Sequence, residues 1–101
     1  METLHYEYEA KGPLTRRAHV GVVGSGDLEV LIEPHKAGLT SIQVSTSVDG
    51  MASVWNALLS RIFTASLLPA VRMEINDFGA TPGVVRLRIE QAFEELSQKS
   101  R

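Results

Sequence analysis

The chain has 101 residues, 44% of them hydrophobic and 22% charged, with no cysteine. This length suits one domain, in which a single core buries roughly 65% of the unfolded surface, and the lack of cysteine excludes disulfides, thiolate metal sites and cysteine nucleophiles. Ten basic residues against twelve acidic ones, net −2, lack the positive field of a nucleic-acid binder. No run approaches the ~18 apolar residues of a membrane span. Residues 1–10 are acidic, unlike a signal peptide, so the expectation is a cytoplasmic soluble protein with one domain over residues 1–101.

Taken in chain order, strict apolar–polar alternation predicts five strands, because successive side chains along a strand point to opposite faces. The runs are Leu4, Tyr6, Tyr8; Ala18, Val20, Val22; Leu28, Val30, Ile32; Ile42, Val44, Thr46; and Val71, Met73, Ile75. Between the fourth and fifth strands, Met51, Val54, Trp55, Leu58, Leu59, Ile62 and Phe63 recur at helical spacing. Asp49 is the expected N-cap of that helix, and Pro69 lies beyond its end. A second helix opens at Thr81-Pro82, where Thr caps and Pro takes the first helical position. Val85, Ile89, Ala92, Phe93 and Leu96 line one face of it, with Arg86, Arg88, Glu90, Glu94 and Glu95 mostly toward solvent. Gly83 weakens its first turn, and residues 98–101 fray. One apolar face per strand and one stripe per helix give an α+β two-layer sandwich, a mostly antiparallel sheet of about five strands with both helices on one face. A parallel crossover from Thr46 to Val71 through the first helix is one possible connection. The other face carries Glu, Gln, Ser and Arg and stays wet or meets a partner.

The informative stretch is Val22-Val23-Gly24-Ser25-Gly26-Asp27-Leu28-Glu29-Val30. Two alternating runs flank a Gly-Ser-Gly-Asp break, which predicts a tight hairpin whose glycines supply the positive φ of such turns. Ser25 then stands exposed between two residues without side chains. Three known glycine patterns fail on spacing. A nucleophile elbow needs G-x-S-x-G, and positions 23 and 27 are Val and Asp. A P-loop needs a lysine that is absent, and the glycines at 21, 24 and 26 do not fit G-x-G-x-x-G. On turn preference alone, Ser25 is an ordinary turn serine. His5, His19 and His35 lie on separate segments without metal-ligand spacing. Asp49 and Asp77 are placed for capping or turn duty, and Trp55 for the core.

From Val22 to Val30, again through Ile42-Gln43-Val44-Ser45-Thr46-Ser47-Val48, and most strongly through Ile75-Asn76-Asp77-Phe78-Gly79-Ala80-Thr81-Pro82-Gly83-Val84-Val85-Arg86-Leu87-Arg88, the sequence resembles the acyl carrier (delta) subunit family of bacterial malonate decarboxylase. Long motifs in matching order reverse the balance against a special role for Ser25. The resemblance implies that Ser25 bears a 2'-(5''-phosphoribosyl)-3'-dephospho-CoA group through a phosphodiester, installed by a dedicated prosthetic-group transferase, with Gly24, Gly26 and Asp27 as its turn context. It further implies that the terminal thiol is acetylated, that an acyltransferase subunit exchanges acetate for malonate, and that a decarboxylase pair releases carbon dioxide. The chain itself is then a non-catalytic carrier, and no four-helix fold is expected.

Backbone N–H groups at Ser25, Gly26 and Asp27 are a candidate anion nest for the bridging phosphate, although the Asp27 carboxylate opposes it. Three other readings remain. A citrate lyase carrier uses a related group, an interaction module would use the polar sheet face, and a free-standing hydrolase would be active alone.

Overall fold

The computed structural model describes residues 1–10, 21–35, 38–65 and 68–99. Its elements in chain order are β1 (Glu2–Glu9), β2 (Gly21–Ser25), β3 (Leu28–Pro34), β4 (Leu39–Thr46), α1 (Ala52–Ala65), β5 (Val71–Asp77) and α2 (Pro82–Lys99). Every alternating run that can be compared forms a strand. Of the second, Ala18 and Val20 lie outside the described residues and Val22 falls in β2. His19 and the last two residues of the polar tail also lie outside them.

The five strands form one sheet in the order β1-β4-β5-β3-β2. Three pairings are antiparallel, and β4 with β5 is parallel. The sheet is therefore mixed, a refinement of the mostly antiparallel expectation. The reason is α1, which carries the chain back along the sheet so that β5 starts from the same end as β4. A hairpin cannot make that return. Register aligns the apolar sets: Leu4 is opposite Val44, Ile42 opposite Met73, Val44 opposite Ile75, and Val30 opposite Ile75. A slip of one residue would turn a strand's whole apolar set to water, which fixes the pairing.

Both helices cover that face. Trp55, Leu59 and Phe63 of α1 and Val85, Ile89 and Ala92 of α2 join Val30, Ile32, Ile42, Val44, Met73 and Ile75 in one buried cluster. α1 lies against β1, and α2 over β3 and β2. Phe63 links three elements, stacking on Tyr8 at 5.4 Å and tilting against Phe93 at 6.0 Å. Such aromatic pairs add about 0.5–1.5 kcal/mol each beyond burial. The expected α1 stripe is narrower than its spacing implied, since Val54 is exposed. Nearby, the Tyr6 hydroxyl donates to the Ala52 carbonyl at 3.2 Å. Burial, with smaller contributions from Tyr8 and Glu2, raises the pKa of that phenol. The opposite sheet face is polar as expected, with His5, Gln43, Arg72 and Glu74 exposed.

The α2 cap is as expected: Val84 N donates to Thr81 Oγ1 at 3.3 Å and Val85 N to the Thr81 carbonyl at 3.0 Å, with Pro82 first in the helix. Asp49 does not cap α1. The helix starts at Ala52, and the Met51 carbonyl accepts its first bond, from Trp55 N at 3.0 Å. Gly50 intervenes with φ 78°, turning the Asp49 carboxylate away to the amino group of Met1 at 2.9 Å. On α2, Arg86 reaches Glu90 at 3.2 Å in solvent. Arg88, expected outside, is half-buried; its Nη1 donates to Gln91 at 2.7 Å, while its Nε is buried without a partner.

At the end of β5, Asp77 is 5% exposed. Its carboxylate accepts the Thr46 hydroxyl at 2.8 Å, Gly79 N at 3.0 Å and Ala80 N at 2.9 Å. Its backbone carbonyl accepts Ser47 N at 3.0 Å. The turn duty expected of this residue is met, and it also joins β4 to β5. Gly79 follows at φ 112°, where any side chain would be strained.

Asp77→Ala should cost about 2–3 kcal/mol by leaving these donors unpaired in a dry corner; Asp77→Asn, which keeps an acceptor, should cost less. Urea denaturation midpoints measure both. Gly83→Ala should raise stability by about 0.5–1 kcal/mol, since Gly83 is helical and an added Cβ there meets nothing within 4 Å. An unchanged or lower midpoint for that variant would contradict this reading of the first turn of α2.

Candidate attachment site

Ser25 is the last residue of β2 and pairs across the ladder with Leu28, the first of β3. Only Gly26 and Asp27 form the turn. The expected four-residue break thus contracts to two, with Gly24 and Ser25 extended and paired. This matters because a ladder residue is held by its neighbours as a loop-tip residue is not.

The two flanking glycines have different reasons for being there. At Gly24, opposite Glu29, an added Cβ would come within 3.3 Å of the Leu28 carbonyl oxygen, so the close approach of the strands leaves little room for a side chain unless that carbonyl shifts by a few tenths of an ångström. At Gly26, a Cβ would meet nothing within 4 Å. Positive φ is not the reason: among the described residues only Gly38, Gly50 and Gly79 adopt it. That corrects the expected turn chemistry, since no residue from 25 to 27 is left-handed. A phosphodiester here would be held by its covalent bond. Repulsion from Asp27 does not forbid it, since two unit charges 4 Å apart in water interact by only about 1 kcal/mol. The space beside Gly26 is open at the scale of a side-chain carbon.

Three connections meet at this end of the sheet, beyond the carboxyl ends of the parallel pair β4 and β5: the 26–27 turn, the 47–51 segment and the 78–81 segment. Open sheets place ligands in this position. Phe78 N donates to the Asp27 carbonyl at 2.9 Å, so the Asp77 corner is bonded directly to the turn beside Ser25. Phe78 itself is 60% exposed. No spacing pattern marks this aromatic; its signal in the sequence is a Phe between Asp and Gly in a connection that has no need of a large apolar residue.

The histidines lie elsewhere. His5 is on β1, at the opposite edge of the sheet from β2, four strand spacings or about 19 Å away. His35 follows β3 at the far end, where its N–H donates to the Ala70 carbonyl at 3.1 Å. Neither is placed to take a proton from Ser25. Among the described residues no group of three His, Asp or Glu is arranged to hold a metal ion, and no helix is long and apolar enough to cross a membrane.

Comparison with known proteins agrees with this geometry. Residues 15–96 match the family described as "ACP: Malonate decarboxylase delta subunit (MdcD)". The chain is 59% identical over 97 residues to the malonate decarboxylase acyl carrier protein of Azotobacter vinelandii, covering 96% of this chain and 98% of that one. It is likewise 59% identical over 96 residues to the protein of that name from Pseudomonas syringae pv. syringae, covering 95% and 97% of the two chains. Among solved structures, a chain in the crystal structure of a Pseudomonas malonate decarboxylase hetero-tetramer in complex with malonate superposes with a TM-score of 0.83 at 55% identity, covering 95% of this chain and 99% of that one. With a family match over residues 15–96 and relatives 59% identical over nearly the whole chain, the chain belongs to the malonate decarboxylase delta subunit, or acyl carrier, family.

Proposed function

We propose that the chain is the acyl carrier subunit of a malonate decarboxylase, a single non-catalytic domain over residues 1–101, and that Ser25 bears phosphoribosyl-dephospho-coenzyme A. The observation that carries this reading is the hairpin end: a serine in a paired strand position, flanked by exposed glycines, at the edge of a packed sheet. When bound, the group supplies a terminal thiol able to carry acetyl and malonyl units as thioesters. The chain's own part is mechanical. Ser25 contributes the ester oxygen, β2 and β3 fix the anchor, and Gly26 leaves room for the transferase and for the arm.

Tethering makes each encounter of the acyl group with a partner site intramolecular, at an effective concentration of ~mM. The partners are the acyltransferase subunit, the decarboxylase pair and the prosthetic-group transferase. A carrier among other subunits is consistent with the hetero-tetramer of the Pseudomonas relative. A cytoplasmic location goes with this reading. The citrate lyase alternative is disfavoured by the identity to malonate decarboxylase carriers over nearly the whole chain.

Ser25→Ala should abolish attachment while leaving the far-ultraviolet spectrum and denaturation midpoint near wild type. Intact mass of the protein from its own cells should show the adduct, and trypsin should place it in the peptide of residues 18–36. Active decarboxylase whose carrier has the bare sequence mass would refute the proposal. The two glycines should separate in a stability assay: Gly26→Ala within about 0.5 kcal/mol of wild type, and Gly24→Ala about 1 kcal/mol less stable from crowding the Leu28 carbonyl. Attachment rates measured on folded Gly26→Ala then report transferase access alone.

A further inference from the structure

We infer that the Phe78 ring is the resting platform for the adenine of the group on Ser25, an inference that rests on the attachment proposed above. Phe78 takes no part in the buried cluster and is 60% exposed. Its backbone is nonetheless held by a run of hydrogen bonds. Phe78 N is bonded to the Asp27 carbonyl, and the next two N–H groups are bonded to the Asp77 carboxylate. Gly79, at φ 112°, closes the turn after it. An aromatic ring on a fixed backbone loses little further freedom when something stacks on it.

Position and chemistry converge on the purine. Leu28 is opposite Ser25 on one side and Asp77 on the other, so Ser25 and Asp77 are two strand spacings apart, about 10 Å. Phe78 follows directly. In the proposed group the serine phosphate joins a ribose, that ribose joins the adenosine sugar, and the purine hangs from the latter. Adenine therefore lies at the root of the group, and the thiol lies at the far end of the pantetheine. A phosphate and two sugars bridge a separation of this order. Any base presents a π-face to an exposed aromatic side chain, so the stack needs no hydrogen-bond readout. Parking the purine on Phe78 fixes the root and leaves the thiol end free to reach successive partner sites.

The test uses carrier coexpressed with its transferase, with the adduct on the 18–36 peptide first verified by mass. Proton NMR then follows adenine H2 and H8. In the wild-type modified protein both should lie upfield of their positions in free dephospho-coenzyme A, with cross-relaxation to the Phe78 ring protons. In Phe78→Ala the resonances should return to the free positions, and Phe78→Tyr should restore the upfield shift. Adenine resonances at the free positions in verified wild-type adduct would overturn the inference. So would an upfield shift that survives Phe78→Ala. If Phe78→Ala leaves adenine unmoved but weakens binding of the carrier to its partner subunits, the ring is a docking residue and the platform is wrong. Absence of the adduct itself would show by mass and would sink the attachment together with the platform.

Discussion

A carboxylate stripped of nearly all its water must be compensated by hydrogen bonds, and at Asp77 the donors come from two separate stretches of chain. The Thr46 hydroxyl belongs to the end of β4, and the Gly79 and Ala80 amides belong to the connection entering α2. The backbone on either side extends the set, with Ser47 bonded to the Asp77 carbonyl and Phe78 bonded to the Asp27 carbonyl. The Asp77 carboxylate and the backbone on either side of it thereby tie β4, β5, the connection into α2 and the β2–β3 turn into a single corner. Hydrogen bonds to a charged group are stronger than neutral ones, and a buried charge left unpaired is costly, so the arrangement resists piecemeal loosening. The opposite end of the β4–β5 pair has a weaker counterpart, in which buried Thr40 accepts Val71 N at 3.4 Å and donates to Pro69 at 3.5 Å.

That unequal stiffness suits a carrier. A thioester arm that visits more than one catalytic site needs an anchor that does not move with it. Ser25 is extended and paired, two residues from a carbonyl that the Asp77 corner holds. Under the proposed attachment at Ser25, the freedom required for delivery resides in the arm and the rigidity required for presentation resides in the sheet. Gly24 lies where the strands approach closely and Gly26 where the space is open, so two glycines around one serine sit in two different environments.

The packing that supports this end also explains the mixed sheet. α1 crosses from β4 to β5 and places Phe63 between Tyr8 of β1 and Phe93 of α2. The aromatic contact joins the early strand to the last helix, elements far apart in the chain. Edge strand β1 is only half-buried, and this contact, with the Tyr6 bond to Ala52, gives it tertiary support beyond its ladder.

Much of the fold was legible in the sequence because periodicity is a direct consequence of local geometry. Alternation at Leu28, Val30, Ile32 or at Val71, Met73, Ile75 declares a one-sided strand wherever that strand is placed, and Thr81-Pro82 declares a helix start through its own side chains. The hairpin at Ser25 was visible for the same reason, and long ordered motifs carried the family. Strand order and the exposure of Phe78 were not legible, because each depends on which distant segments meet; the parallel β4–β5 pairing was legible only as one possible crossover through the first helix. Asp49 shows the limit most plainly. Its residue type and spacing suit a helix cap, yet a left-handed Gly50 redirects the chain before the helix begins, and the Asp49-Gly50 pair reads equally well as a turn. Asp77 had an equally ordinary sequence signature; only the arrival of Thr46 beside it made it the corner on which the proposed attachment site rests.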